Sequence, residues 1–288
     1  MSDTAILTDS CSCIPPALLR ELDISSIPYY IHRDEEILRD LVSIDAHTFY
    51  DWLPTATRLP QTASPGPGDY LNAYQSLAER GKQHIFSIHM TSHGSGAFQA
   101  ALAAASMAKE LLPKIRIEVV DTLNVAMCTG WIVIQAARSA LKKRPFETIR
   151  ETIREMIPRV ELLQTADTLK YLYMGGRIGR ATNLVGTLLK IKPIIGMKDG
   201  VIEAMGKARS RTRAYERMVE LVLETIRPNE TLRVAFMHAS ARSEAIRLKE
   251  MLEARIPLLE SMICEFSPAL GVHCGPGTAG MCYLRGAD

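Results

Sequence analysis

The stretch HMTSHGSGAFQAALAAA, residues 89–105, sets Thr91, Ser92 and Ser95 and the glycines at 94 and 96 before an alanine-rich helix. A helix N-terminus offers unpaired N–H groups and a partial positive charge, which suits an anionic ligand. Gly94 and Gly96 would let that ligand approach the backbone. Ser95 can cap the helix or donate its O–H to an anion. Three other stretches carry related chemistry. Thr62-Ala63-Ser64-Pro65-Gly66 brings two hydroxyls to a tight turn, or is a plain linker. MGGRIGR, residues 174–180, places Arg177 and Arg180 beside Gly175 and Gly176. A guanidinium there is either a solvated charge or a clamp for carboxylate or phosphate. His273, in GVHCGPG at the end of a predicted strand, is either a structural histidine or a ligand group. Finally, Lys207, Arg209, Arg211 and Arg213 alternate, so an extended segment would carry them on one face. That face is either solvated or meets an acidic partner surface or nucleotide phosphates.

Several chemistries are excluded. Gly275-Pro276-Gly277-Thr278-Ala279-Gly280 has dinucleotide-loop spacing but leaves too little chain for the helix and acidic residue that such a site requires. No G-x-S-x-G nucleophile elbow and no H-E-x-x-H zinc motif occurs. The six cysteines form no CxxC and read as buried thiols of a reducing compartment; Cys11 and Cys13 lack further ligands at zinc spacing, so no metal is expected. A formal charge of +2 gives no case for nucleic acid. No run of 18 apolar residues occurs, so stable membrane insertion is not expected. The opening MSDTAILTDS has no leader-like segment, and a cytoplasmic location is expected.

The elements that must position these groups alternate in the first half. Strands are expected near 5–7, 24–31, 83–89 and 116–121, with helices over about 15–22, 45–53, 69–80, 96–112 and 126–141. This alternation predicts an α/β unit with a mainly parallel sheet flanked by helices. After Pro158 the pattern changes. A strand at VELLQTA, helices around 167–174 and 181–190, a hairpin through Lys198-Asp199-Gly200, helices at 211–226 and 241–254, and strands at TLRVAFMHA, 259–265 and MCYLR predict an α+β unit with a mixed sheet. The segment GVHCGPGTAG is expected to be a loop. Two domains, 1–158 and 159–288, are therefore expected, with a ligand between them.

Spacing alone does not bring the candidate residues together. Taken in order, TDSCS (8–12), TASPG (62–66), HGSGAFQAA (93–101), DTLNVAMCTG (121–130), YLYMGGRIG (171–179), LLKIKPIIGMKDG (188–200) and GVHCGPG (271–277) resemble the DegV family over nearly the whole chain. The resemblance implies a two-domain bacterial protein, without a cofactor of its own, that holds a fatty acid between its domains. It also implies that the carboxylate is presented to a separate ATP-using fatty acid kinase subunit. Carried over, Thr62 and Ser95 resemble the hydroxyls that bind the carboxylate, with Gly96 beside them. Arg177 matches the arginine of the glycine-rich joint, and His273 the histidine near the head group. Asp9, Ser10, Ser64, Gly94 and Gly176 belong to the supporting loops. Arg209 and Arg211 are candidate partner contacts. Ala63, Gly66, Ala97 and Cys274 depart from the family pattern, and they motivate an alternative in which another amphiphilic anion is bound. A further alternative is an enzyme acting on a small anionic substrate, with Ser95 as nucleophile, His273 as base and Asp9 orienting it.

Overall fold

In a computed structural model, residues 2–187 and 191–286 are described. The chain opens with β1 (Thr4–Asp9), α1 (Pro16–Glu21), β2 (Ile24–Ile27), β3 (Tyr30–Arg33), β4 (Glu36–Arg39), α2 (Ala46–Trp52) and β5 (Gln61–Ala63). There follow α3 (Pro67–Glu79), β6 (His84–His89), α4 (Ala97–Leu111), β7 (Arg116–Asp121), α5 (Met127–Leu141) and α6 (Phe146–Met156). The remainder is β8 (Val160–Thr165), α7 (Lys170–Met174), β9 (Lys192–Lys198), β10 (Val201–Ala208), α8 (Arg211–Thr225), β11 (Leu232–His238), α9 (Arg242–Glu253), β12 (Glu260–Glu265), α10 (Pro268–Cys274) and β13 (Ala279–Arg285).

Three sheets result. The first has strand order β2-β1-β6-β7 and is parallel throughout. All six residues of β1 are buried, as expected of a strand covered on both faces. The second sheet is mixed, ordered β10-β9-β8-β13-β11-β12, with β11 and β12 parallel and its other pairs antiparallel. A small antiparallel sheet, β4-β3-β5, stands apart. Helix α5 joins the lobes. It packs against β1 and β6 on one side and β8 and β13 on the other, and the fully buried Trp131 donates its indole N–H to the Cys282 carbonyl at 3.1 Å.

The expected α/β pattern is present, with local corrections. The strand expected over 24–31 is two strands in two sheets, because Pro28 supplies no N–H and interrupts the ladder. Strands β4 and β5 and helix α6 were not foreseen; β5 lies inside the stretch read as a loop. The helix expected around 167–174 spans only Lys170–Met174. The next one is a 3₁₀ helix, Gly179–Thr187, and residues 188–190 of its expected span lie outside the described residues. The Lys198-Asp199-Gly200 hairpin is present, with positive φ at Asp199 (51°) and Gly200 (77°), as a tight two-residue turn requires. The segment read as the GVHCGPGTAG loop contains most of α10. Ser267 caps it, Pro268 occupies its first position, and Gly275 (φ 72°) ends it.

All six cysteines are buried and unpaired.

Candidate functional site

A cavity of about 440 Å³ lies between the lobes. Thr62 and Ser64 reach it from β5 and the following loop, and Gly94, Ser95 and Gly96 from the approach to α4. Gly176 and Arg177 reach it from the joint after α7, and His273 from α10. Eight of the residues singled out in the sequence thus border one cavity.

The contacts are specific. Thr62 Oγ1 lies 2.8 Å from His273 Nε2, joining residues from opposite ends of the chain. Ser95 Oγ lies 2.6 Å from the Tyr29 hydroxyl and accepts the Ala97 N–H at 3.2 Å, so it both closes the turn into α4 and borders the cavity. Gly96 sits against Ser64: a side chain at 96 would come within 3.3 Å of the Ser64 hydroxyl. Gly175 lies under the His273 ring, where a side chain would overlap it, and Arg177 donates to the Gly175 carbonyl at 2.6 Å. Burial holds His273 down to about 4, with the positive charge of Arg177 adding to the effect, so the imidazole is neutral at physiological pH. A neutral imidazole, the hydroxyls of Thr62, Ser64 and Ser95, one guanidinium and helix-end N–H groups together offer donors to an anion.

Other predicted residues stand elsewhere. Asp9 does not line the cavity. Its carboxylate meets His89 Nδ1 at 2.8 Å and accepts the Cys11 N–H at 3.1 Å; Asp9 and His89 are both fully buried. His89 Nε2 in turn meets Ser87 Oγ at 2.7 Å. The proposed Ser95–His273–Asp9 enzyme arrangement is therefore not assembled: each member is bonded to a different partner. Ser10 also lies behind the wall, accepting the Tyr29 N–H at 3.1 Å. It acts at one remove, since it fixes the residue whose hydroxyl meets Ser95. Arg211 is not a free cation. It starts α8 rather than lying on an extended run, and it is bound to Asp167 at 2.8 Å and to the Gly277 carbonyl at 2.8 Å. Arg209 is exposed. Among the departures from the family pattern, Ala63 and Cys274 line the cavity, Gly66 caps α3, and Ala97 is buried at the start of α4.

The sequence reading missed Tyr29 and the apolar wall formed by Met90, Leu162, Leu172, Met197 and Phe266. Tyr29 follows a Ser-Ile-Pro stretch that marks a strand break, which is the only available signal for it.

Fold and cavity together define a two-lobed α/β protein with a ligand-sized chamber between a parallel and a mixed sheet. The chain belongs to the DegV family: the family model, described as an uncharacterised protein family, matches residues 3–286. A DegV domain-containing protein of Clostridium perfringens is 31% identical over 280 residues, covering 97% of this chain and 98% of the other. Among solved structures, one reporting fatty acid binding by a DegV family protein from Thermus thermophilus is 27% identical with a TM-score of 0.91, covering 99% of each chain. Another, DegV of Bacillus subtilis, described as a fatty acid binding protein, is 30% identical with a TM-score of 0.87, also covering 99% of each chain. No helix among the described residues is long and apolar enough to cross a membrane.

Proposed function

We propose that this chain binds a long-chain fatty acid between two domains, 1–158 and 159–288, and presents its carboxylate to a separate ATP-dependent kinase subunit. In this reading Thr62, Ser95, Gly96, Arg177 and His273 hold the head group, and the chain performs no chemistry of its own. The observation that carries it is the Thr62–His273 contact at 2.8 Å on the wall of a cavity that also carries the apolar side chains of Met90, Leu162, Leu172, Met197 and Phe266. The fatty acid binding described for the T. thermophilus and B. subtilis relatives supports the same ligand class.

The energetics suit an amphiphile. Each buried methylene contributes about 0.8 kcal/mol, so the roughly 14 methylenes of a 16-carbon acid supply about 11 kcal/mol before ordering costs. The carboxylate costs several kcal/mol when buried unless its oxygens are met. Hydroxyls, the Arg177 charge and helix-end N–H groups meet that need. The tail supplies affinity and the polar wall sets orientation.

The kinase step is tested by incubating acid-loaded protein with ATP, with and without a candidate kinase subunit. Acyl phosphate should form only when both are present. Product formed by this chain and ATP alone would contradict the reading. With Arg211 held internally, Arg209 is the cation to test at the partner surface. Arg209→Glu should weaken kinase binding at low salt and leave fatty acid binding unchanged; unchanged kinase affinity removes that contact.

A further inference from the structure

Of the cavity's polar side chains outside the head-group set, one is buried without a hydrogen-bond partner among the described residues. Gln164 lies on β8, a strand paired on both sides, with Gly280 of β13 opposite it in one ladder and Ile195 of β9 in the other. It is only 5% exposed and borders the cavity. Its backbone belongs to the sheet. Among the described residues its carboxamide has no hydrogen-bond partner, whereas Thr91, Ser95 and Thr62 around the same chamber each bond to a protein group. Gly280 explains how the residue is seated. A side chain at 280 would collide with Gln164 Cβ and the Leu163 carbonyl, so the missing side chain lets β8 and β13 close on the base of Gln164. Leu162, two residues back on the same face, is apolar, as are Met197 and Leu172 of the chamber wall.

A carboxamide offers two N–H donors and an acceptor oxygen. Left unmet and buried, it disfavours any ligand that displaces water from it without replacing the hydrogen bonds. A plain alkyl chain is such a ligand. A chain bearing oxygen at that point is not: a hydroxyl both donates and accepts, and a keto oxygen accepts. Sites that hydrogen-bond a ligand hydroxyl discriminate strongly against the analogue lacking it, because the protein group is then left unpaired.

We infer that the cavity selects an acyl chain carrying a hydroxyl or keto group where the chain passes Gln164. This rests on the fatty acid reading and narrows it to oxygenated acids. The test titrates delipidated protein with stearate and with a series of hydroxystearates whose hydroxyl is moved stepwise along the chain. Wild type should bind at least one of the series roughly tenfold more tightly than stearate, the value of one well-met hydrogen bond. Gln164→Met, similar in length and unbranched, should erase that preference while binding stearate no more weakly than wild type. The wild-type comparison stands even if the variant folds poorly. Equal or weaker binding of every hydroxy acid by wild type overturns the inference, as does a preference that survives in the variant. Loss of stearate affinity in the variant with no hydroxy preference in wild type would place Gln164 at the carboxylate and also overturn it. If wild type binds neither stearate nor any hydroxy acid, the fatty acid reading itself falls.

Discussion

At the residue scale, the proposed reading rests on four side chains that border the chamber, Thr62, Ser95, Arg177 and His273. Ser95 is the most informative, because its oxygen already accepts the Ala97 N–H while facing the chamber. Ser95→Ala should weaken fatty acid binding by about 1–2 kcal/mol, the usual cost of leaving a buried polar group unmet. Calorimetry returning the wild-type constant would reduce Ser95 to a turn residue. His273 gives a pH prediction. Burial first, and Arg177 second, hold it down to about 4 against an ordinary 6.5. The folded state therefore favours the neutral ring: its contribution to stability is intact above about 6.5 and is lost as pH falls from there towards 4. His273→Gln should flatten the loss of stability across that window in chemical denaturation, by at most about 3 kcal/mol at the acid end. A carboxylate arriving beside the ring raises its proton affinity, so fatty acid binding near pH 5 should take up protons. Binding enthalpies measured in buffers of different ionisation heat would reveal this, and identical enthalpies would contradict it.

At the element scale, the chamber depends on how α10 is docked. The Ala269 N–H donates to the buried Asp40 carboxylate at 3.1 Å, the Tyr50 hydroxyl donates to the Phe266 carbonyl at 3.0 Å, and Gly275 packs on the Tyr171 ring. Burial pushes Asp40 up to about 6. A raised carboxyl favours the fold while protonated: its contribution is full below about 3.8 and is lost as pH rises through about 6. Asp40→Asn should therefore gain stability relative to wild type between pH 5 and pH 8, by about 1.4 kcal/mol, provided the amide oxygen keeps the Ala269 bond. An equal difference at both pH values would contradict the assignment. Gly275→Ala should cost more than about 2 kcal/mol, because φ of 72° and the Tyr171 ring both exclude a methyl group.

The same elements show what could be read in advance. The hairpin at Asp199-Gly200 was legible because only a few residue types accept positive φ. The parallel sheet was legible because buried strands such as ILTD and HIFSIH alternate with helices of regular length. Helix α10 was not, since seven residues give too little periodicity, although Ser267-Pro268 and Gly275 marked both ends. The pairing of Thr62 with His273 was illegible for a different reason: a contact between residues 211 positions apart leaves no trace in local spacing. Asp9 and Ser10 were legible as a polar turn, but their partners lie elsewhere: His89 at the end of β6 and Tyr29 in the link between β2 and β3.

At the scale of the whole molecule, the chamber draws its wall from both lobes. Thr91 of one lobe donates to the Gly200 carbonyl of the other at 2.8 Å, Asn124 donates to the Val160 carbonyl at 3.2 Å, and α5 packs against both large sheets. A ligand filling that space stabilises both lobes together. At a free acid concentration of about a hundred times Kd, the gain should be about 2.7 kcal/mol, seen as one cooperative transition shifted upward. The most direct test of the central claim is mass spectrometry of an organic extract of the purified chain, followed by calorimetric titration of the delipidated protein with long-chain acids. The account predicts a long-chain fatty acid in the extract at close to one per chain and saturable rebinding. An extract without such an acid, together with no heat of binding on titration, would contradict it.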